Sequence, residues 1–386
     1  MIHLHHASSR AEIAAELSLT PAAVSYIVAE LLDAGLIHES GRRSGGRGQP
    51  AIELGINSDA AWTIGLHLDH RRVSGCVADL GGAVTARRHR TLPAEATPSQ
   101  VRRCLLAVAE ALLDSRMNCR PLGVGLAAVG PLDLARGAVV ESEQTRSWGN
   151  EPLRDPLSDS LGLDVSMENN VTAAAIGEFW HGRGRAFRNF LTVGFFSAGL
   201  GGGLFLERRV YRGSGPNVAE FGHMLVAAPA GVQHVDGSID SDGIVHLQSL
   251  ASLDALHRDL GPLTLNELDD RLATGDSALQ TWLQRAATAL SQAIVSVDHL
   301  LDLDAIILTG HLSPAILQAL VERIAVKREP LYMQGWHHRP ELLVGVDGAD
   351  SVLLGAATLP VYDAVVPVGN PRNTLAVQAQ AARRHA

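Results

Sequence analysis

Lysine is almost absent from this 386-residue chain. Of its 32 basic residues only Lys327 is a lysine, and the rest are arginine. That excludes a lysine phosphate clamp or a Schiff-base centre anywhere else in the chain. Cysteine is scarce as well. Cys76, Cys104 and Cys119 make no CxxC pair and no framework spacing, which suits a reduced cytoplasmic protein better than a secreted, disulfide-stapled one. No apolar run approaches the roughly 18 residues of a membrane span. The first ten residues lack the basic and apolar segments of a signal peptide, so no membrane partner is expected. An excess of positive charge is missing too: the formal net charge is -9. That argues against a whole-surface polyanion binder and leaves room for a small local nucleic-acid site. What is present is 46% hydrophobic against 19% charged residues, over a length of about two to three domains at roughly 150 residues each. Such a chain can bury a sizeable core.

Residues 1–58 carry the pattern of a winged helix-turn-helix. Ser9 can cap a short helix, with Glu12 as its capping-box partner. Thr20-Pro21 then opens a second, longer helix with proline at the first position, where its missing N–H costs nothing. Val24, Ile27, Val28, Leu31 and Leu32 form its expected buried stripe. The segment 39–50 is glycine-rich and basic, flanked by Ile37, Ile52 and Leu54, as a β-hairpin wing would be. The second helix exposes Thr20, Ser25 and Tyr26 but no arginine to grip guanine. Base readout is therefore expected from those three. Arg42, Arg43, Arg47 and Gln49 of the wing would supply phosphate or minor-groove contacts. With six acids against four arginines in this unit, the binding is weakly electrostatic and its specificity should need a dimer. The alternative is an ordinary helical hairpin with a solvated loop.

Beyond residue 58 the pattern is α/β. Strands are expected over 61–68, 73–80, 83–90, 123–128, 165–167, 190–196, 202–207 and 305–309. Helices are expected over 98–113, 170–180, 247–258, 264–273 and 276–300, with another starting at Pro314. A β-β-β-α-β-α order seen twice describes two lobes with a cleft between them. They are placed at 59–168 and 169–370, followed by a tail or helix over 371–386.

Several motifs resemble those of the ROK family of repressors, open reading frames and sugar kinases. Val218-Ala219-Glu220-Phe221-Gly222-His223-Met224 resembles the family's AGEIGHM motif. The run 167–175 resembles its ENDANAAA helix start, 197–203 its GTGIGGG loop, and 123–133 and 147–153 its VPGPVD and GWND segments. The resemblance covers nearly the whole chain from Ser8 to about residue 360. It implies the two-lobed actin-like, ribonuclease H-like α/β fold of the sugar kinases, here preceded by the winged helix. The attached winged helix is that of the family's transcriptional regulators. By the same resemblance Asn169, Asn170, Glu220 and His223 line a sugar pocket, and Gln248 stands where a glutamate usually grips a hydroxyl. Amide, carboxylate and imidazole groups suit the paired donors and acceptors of a sugar. Glu220 and His223 could instead be a structural capping pair at a helix start.

The kinase parts are altered. Where the family's first phosphate loop reads DIGGTK, this chain has His67-Leu68-Asp69-His70-Arg71-Arg72. An aspartate there would repel a triphosphate. The expected general-base carboxylate falls at Asn170, and an amide has no useful basicity near neutral pH. The adenosine-side LGGG turn reads Leu308-Thr309-Gly310-His311. Neither ATP binding nor catalysis is expected. The family's zinc site needs cysteines that are absent after Cys119. His223, His234, Asp236 and His246 fall in the corresponding register and could make a tetrahedral set for structural zinc. With 17 histidines in the chain, chance placement is the stronger account, and a metal-free polar loop is expected.

The expected function is a sugar-responsive DNA-binding regulator, a repressor, with operator DNA, a sugar effector and a homodimer or homotetramer as partners. The alternatives are a sugar kinase with a fused DNA-binding domain and a constitutive DNA-binding regulator with a vestigial pocket.

Overall fold

The computed structural model describes residues 8–43, 51–115, 121–141, 145–196, 199–215, 217–228, 243–335, 338–346 and 350–365. The N-terminal unit holds β1 (Ser8–Ser9), α1 (Arg10–Leu17), α2 (Pro21–Asp33), β2 (Ile37–Arg43) and β3 (Ala51–Ile56), with sheet order β1-β3-β2. The capping box forms as expected. The Ser9 hydroxyl accepts from Glu12 N at 3.3 Å, and the Glu12 carboxylate accepts from Ser9 N at 2.8 Å. Thr20 caps α2 and Pro21 opens it. Ile13, Ala14, Val24, Val28, Ile37 and Leu54 make a small core. Ile27, expected in the buried stripe, is 44% exposed instead. With so few elements in this unit, the apolar stripe is wider than the face α1 and the hairpin can cover.

The first lobe contains β4 (Trp62–Asp69), β5 (Arg72–Asp79), β6 (Val84–Thr91), α3 (Pro98–Leu113), β7 (Val124–Ala128), the small pair β8 (Leu132–Asp133) and β9 (Ala138–Val139), α4 (Arg154–Leu161) and β10 (Val165–Asn169). Its sheet runs β10-β7-β4-β5-β6, antiparallel across β4-β5-β6 and parallel across β4-β7-β10. The connecting helix α5 (Asn170–His181) leads to the second lobe. This lobe holds β11 (Phe190–Phe195), β12 (Gly201–Leu206), β13 (Arg209–Val210), the hairpin β14 (Leu225–Ala227) and β15 (Ile244–His246), α6 (Gln248–Ala251), α7 (Leu253–Leu260), α8 (Leu265–Thr274), α9 (Ser277–Leu301), β16 (Ala305–Gly310), α10 (Pro314–Arg328), β17 (Glu341–Val344) and α11 (Asp350–Val365). Its sheet runs β13-β12-β11-β16-β17. Each lobe therefore repeats one plan: three antiparallel strands, then two parallel additions on the first strand's other side.

The expected helix over 247–258 is two helices. Ser252, at ψ 172, breaks it and caps α7 by accepting from Ala255 N at 3.1 Å. Helices α4 and α11 and strand β17 were not expected. The tail at 371–386 lies outside the described residues.

Helices α5 and α11 pack tightly on each other, and α11 also lies on β4, β5 and β7. The last turn of α5 reaches the junction with the N-terminal unit. There Trp180 joins Leu31, Leu36, Ile56, Leu80 and Val361 in one apolar cluster. Asn57 Nδ2 donates to Gly35 O at 2.8 Å, and Leu80 N to Ser58 O at 3.3 Å, completing the seam.

Candidate functional site

A cleft of about 440 Å³ opens beside the start of α5. The structure brings all five expected sugar-contact residues to it: Asn169, Asn170, Glu220, His223 and Gln248. Asn169 is the N-cap of α5, and its Oδ1 accepts from Val171 N at 2.9 Å. The Asn170 Oδ1 shares that donor at 2.8 Å. Both oxygens are thus held by the helix start, and the amide NH₂ groups remain to donate. Gly130 makes room for this arrangement, since a Cβ there would lie 2.8 Å from Asn169 Nδ2.

Glu220 and His223 sit around the 3-10 turn Phe221–His223. A side chain at Gly222 would clash with the Leu200 carbonyl, so this turn presses against the start of β12 only because residue 222 is glycine. Ala219, just before, is left-handed at φ 60, a conformation that costs a non-glycine residue free energy. Burial raises the Glu220 carboxyl above its ordinary pKa, while nearby His223 pulls it down.

The two histidines of the expected metal set that can be placed come together. The rings of His223 and His246 lie 5.3 Å apart, edge to face, and His246 Nδ1 is 3.0 Å from the His223 carbonyl oxygen. His234 and Asp236 lie outside the described residues. Elsewhere among the described residues, Asp298, Asp302 and His338 cluster. The buried Asp298 spends its oxygens on Leu303 N and the Tyr332 hydroxyl, so this group reads as a structural anchor.

The altered phosphate loop is filled by side chains. His67 is buried at the end of β4, and burial pulls its pKa down to about 4. His311 follows β16, with its ring 6.5 Å from His67 and edge-on to Phe196 at 5.4 Å. Burial lowers the His311 pKa as well. Two neutral imidazoles therefore occupy the strand ends where a phosphate cradle needs open backbone. The surviving glycine run lines the cleft through Gly199, Gly201 and Gly202 and packs closely at its far end. A Cβ at Gly202 would lie 2.6 Å from Ala219 O, and one at Gly203 2.7 Å from Val171 O. Ser197, at the start of that run, lies outside the described residues.

Three residues of this region were missed from the sequence. Asn217 lines the cleft, and its Oδ1 accepts from Leu132 N at 2.9 Å, tying the two lobes' loops together. Glu168, at the end of β10, is buried against Arg212. His70 also lines the cleft, although the sequence presents it only as a lost glycine. No local signal marks the first two, because their partners are distant in the chain.

At the candidate DNA interface, Thr20 spends its hydroxyl on Ala23 N at 3.2 Å, and the Ser25 hydroxyl donates to Pro21 O at 2.8 Å. Tyr26 projects, 66% exposed. Arg42 is exposed at the end of β2. Arg43 is held by Glu12 and stands 3.6 Å from Glu53. Arg47 and Gln49 lie outside the described residues. The edge strand β6 adds an exposed row, Arg87, Arg88, His89 and Arg90, that the sequence pattern showed only as a strand.

Two repeated α/β sheets, with a polar cleft beside the helix that joins them, define the actin-like fold of the sugar kinases and their relatives. The ROK family model matches residues 63–361, and the chain belongs to the ROK family. A glucokinase of Streptomyces coelicolor is 31% identical over 162 residues, 42% of this chain and 49% of that one. A xylose repressor of Caldicellulosiruptor bescii is 25% identical over 222 residues, 56% of this chain and 55% of that one. The chain thus spans about half the length of each. The solved structure of a ROK family transcriptional regulator, a homologue of the E. coli MLC protein, superposes with a TM-score of 0.68 at 22% identity, covering 92% of this chain and 91% of that one. No helix among the described residues is long and apolar enough to cross a membrane.

Proposed function

We propose that this protein is a sugar-responsive DNA-binding regulator whose interlobe cleft binds a sugar without phosphorylating it. The observation that carries the reading is the pairing, in one cleft, of five hydroxyl-binding side chains with an amide at the base position. Asn170 hydrogen-bonds but cannot take a proton at neutral pH. His70 and His311 stand where the resemblance puts glycines of the phosphate loop and the adenosine-side turn, so their side chains take up room that nucleotide phosphates would need. The kinase alternative loses support at both places.

The N-terminal unit is the DNA-binding element, with Tyr26 on α2 and the basic hairpin as its contact surface. Coupling runs through α5. Its first residues hold the cleft amides, and its last turn puts Trp180 into the apolar seam under the N-terminal unit. At about 1.5 Å per residue, this 12-residue helix spans roughly 18 Å. A sugar changes operator affinity only through its preference for one lobe arrangement. A homodimer presents two such units to two half-sites.

The test is duplex binding by the full chain with and without sugars, beside an ADP-release assay. The reading expects a change in duplex affinity with at least one sugar and no sugar-dependent ADP. Steady ADP release would replace it with the kinase reading.

A further inference from the structure

The cleft lining has a chemical bias that bears on the class of effector. The chain has 32 basic residues, yet no arginine or lysine is among the described residues lining the cleft. The lining offers amides at Asn169, Asn170, Asn217 and Gln248, the carboxylate Glu220, and the imidazoles His70 and His223. Arg212 is committed to the buried Glu168, and Arg72 acts on His67 and His311 from outside the lining. A phosphate dianion in this cleft would meet Glu220 with no guanidinium or ammonium to offset its desolvation, which costs several kcal/mol.

One lining group also lacks a partner. His70 stands in the turn between β4 and β5, where its backbone N donates to Asp69 Oδ1 at 2.6 Å. Its ring packs 5.9 Å from that of buried Trp148. Its Nδ1 is buried and has no hydrogen-bond partner among the described residues. A buried, unsatisfied polar atom costs roughly 1–3 kcal/mol. A polar cleft of this size satisfies it with water or with a ligand hydroxyl. The charged groups around this turn are Asp69, Arg71 and Arg72 and, from α7, Asp254, with His67 and His311 as titratable neighbours.

We propose that the effector is an uncharged sugar rather than a sugar phosphate, and that His70 contacts one of its hydroxyls from the first-lobe wall. This rests on the reading of the cleft as a sugar site. His70 then defines specificity twice over. It reads a hydroxyl that the second-lobe residues do not reach, and it fills space that a phosphate group would need.

The experiment is a thermal-shift and calorimetric comparison on the full chain. A panel of neutral hexoses and N-acetylhexosamines is run beside the matching 6-phosphates, with neutral pentoses alongside. A neutral sugar is expected to raise the melting temperature, and its 6-phosphate to give no shift. His70→Phe keeps a ring against Trp148 and removes the hydrogen bond. It should weaken the sugar about tenfold, the equivalent of one net hydrogen bond, while leaving the unliganded melting temperature and DNA affinity unchanged. His70→Gln should recover most of the loss. Tighter binding of a 6-phosphate than of its neutral parent overturns this inference alone and leaves the regulator reading standing. Full affinity in His70→Phe overturns the role of His70. No shift from any member of the panel, with DNA binding intact, overturns the cleft reading and this inference together.

Discussion

The two walls of the interlobe cleft differ in what they keep. The wall from α5 and the second lobe carries a polar, hydrogen-bonding side chain at each position the family resemblance implies: Asn169, Asn170, Glu220, His223 and Gln248. The wall from the first lobe carries His70 where the family's kinases have the second glycine of a phosphate loop, and His67, buried on β4, stands in place of that loop's aspartate. Sugar contacts and phosphate contacts are carried by different elements. One set can therefore be refilled with bulkier side chains without disturbing the other.

The sharpest way to break the comparison is at Glu220. Glu220→Ala removes a charge-assisted hydrogen bond from the second-lobe wall and should weaken sugar binding about 10- to 100-fold, roughly 1.5–3 kcal/mol. Calorimetry reads it. An unchanged affinity would show that the retained wall does not hold the ligand.

His67 probes the other wall through pH. Its folded pKa of about 4 lies below the ordinary 6.5, so the unfolded chain binds the proton more readily. The stability that neutral burial protects is fully present above about pH 6.5 and is lost as pH falls toward 4. The slope from this one group reaches at most about 1.4 kcal/mol per pH unit. Denaturant titrations of His67→Leu should show a shallower fall across that window. An identical fall would place His67 in solvent.

A smaller effect is expected in the N-terminal unit. Arg42→Ala should weaken duplex binding a few-fold and lower the salt slope by about one, with sugar affinity unchanged. Binding titrations at several salt concentrations check this. Arg43 makes the useful contrast, because Glu12 and Glu53 already hold it. The smallest effect is at Ala219. Ala219→Gly relieves a left-handed residue and should stabilise the protein by up to about 1 kcal/mol. A drop in melting temperature would show that the turn is not strained.

Local signals made much of the fold legible. The Ser9–Glu12 box, the Thr20-Pro21 start and the 98–113 helix stand where their caps and periodicity put them, because cap chemistry is decided within one turn. The repeated strand order followed from alternation and glycine turns. What was hidden depended on tertiary context. Helix α11 is apolar all round, with Pro360 inside it, so neither period nor cap announced it. Ser252 reads as a mid-helix serine until its ψ is seen. Ile27 fits the stripe of α2, but the unit is too small to cover it. The five cleft residues were legible because they lie in compact motifs. Asn217, the His70 contact and the lack of arginine in the lining became visible only when distant segments met.

One coupling is central to the proposed function: a neutral sugar in the cleft must change how the N-terminal unit holds DNA. The direct measurement is fluorescence anisotropy of a duplex that the full chain selects from a random pool, titrated with and without the sugar giving the largest thermal shift, with Mg-ATP present throughout. The prediction is a shift in duplex Kd of about 5- to 150-fold, the usual span of such couplings, stable over time because no sugar phosphate accumulates. A duplex Kd that stays the same when the sugar is bound, or a shift that decays as the sugar is phosphorylated, would contradict it.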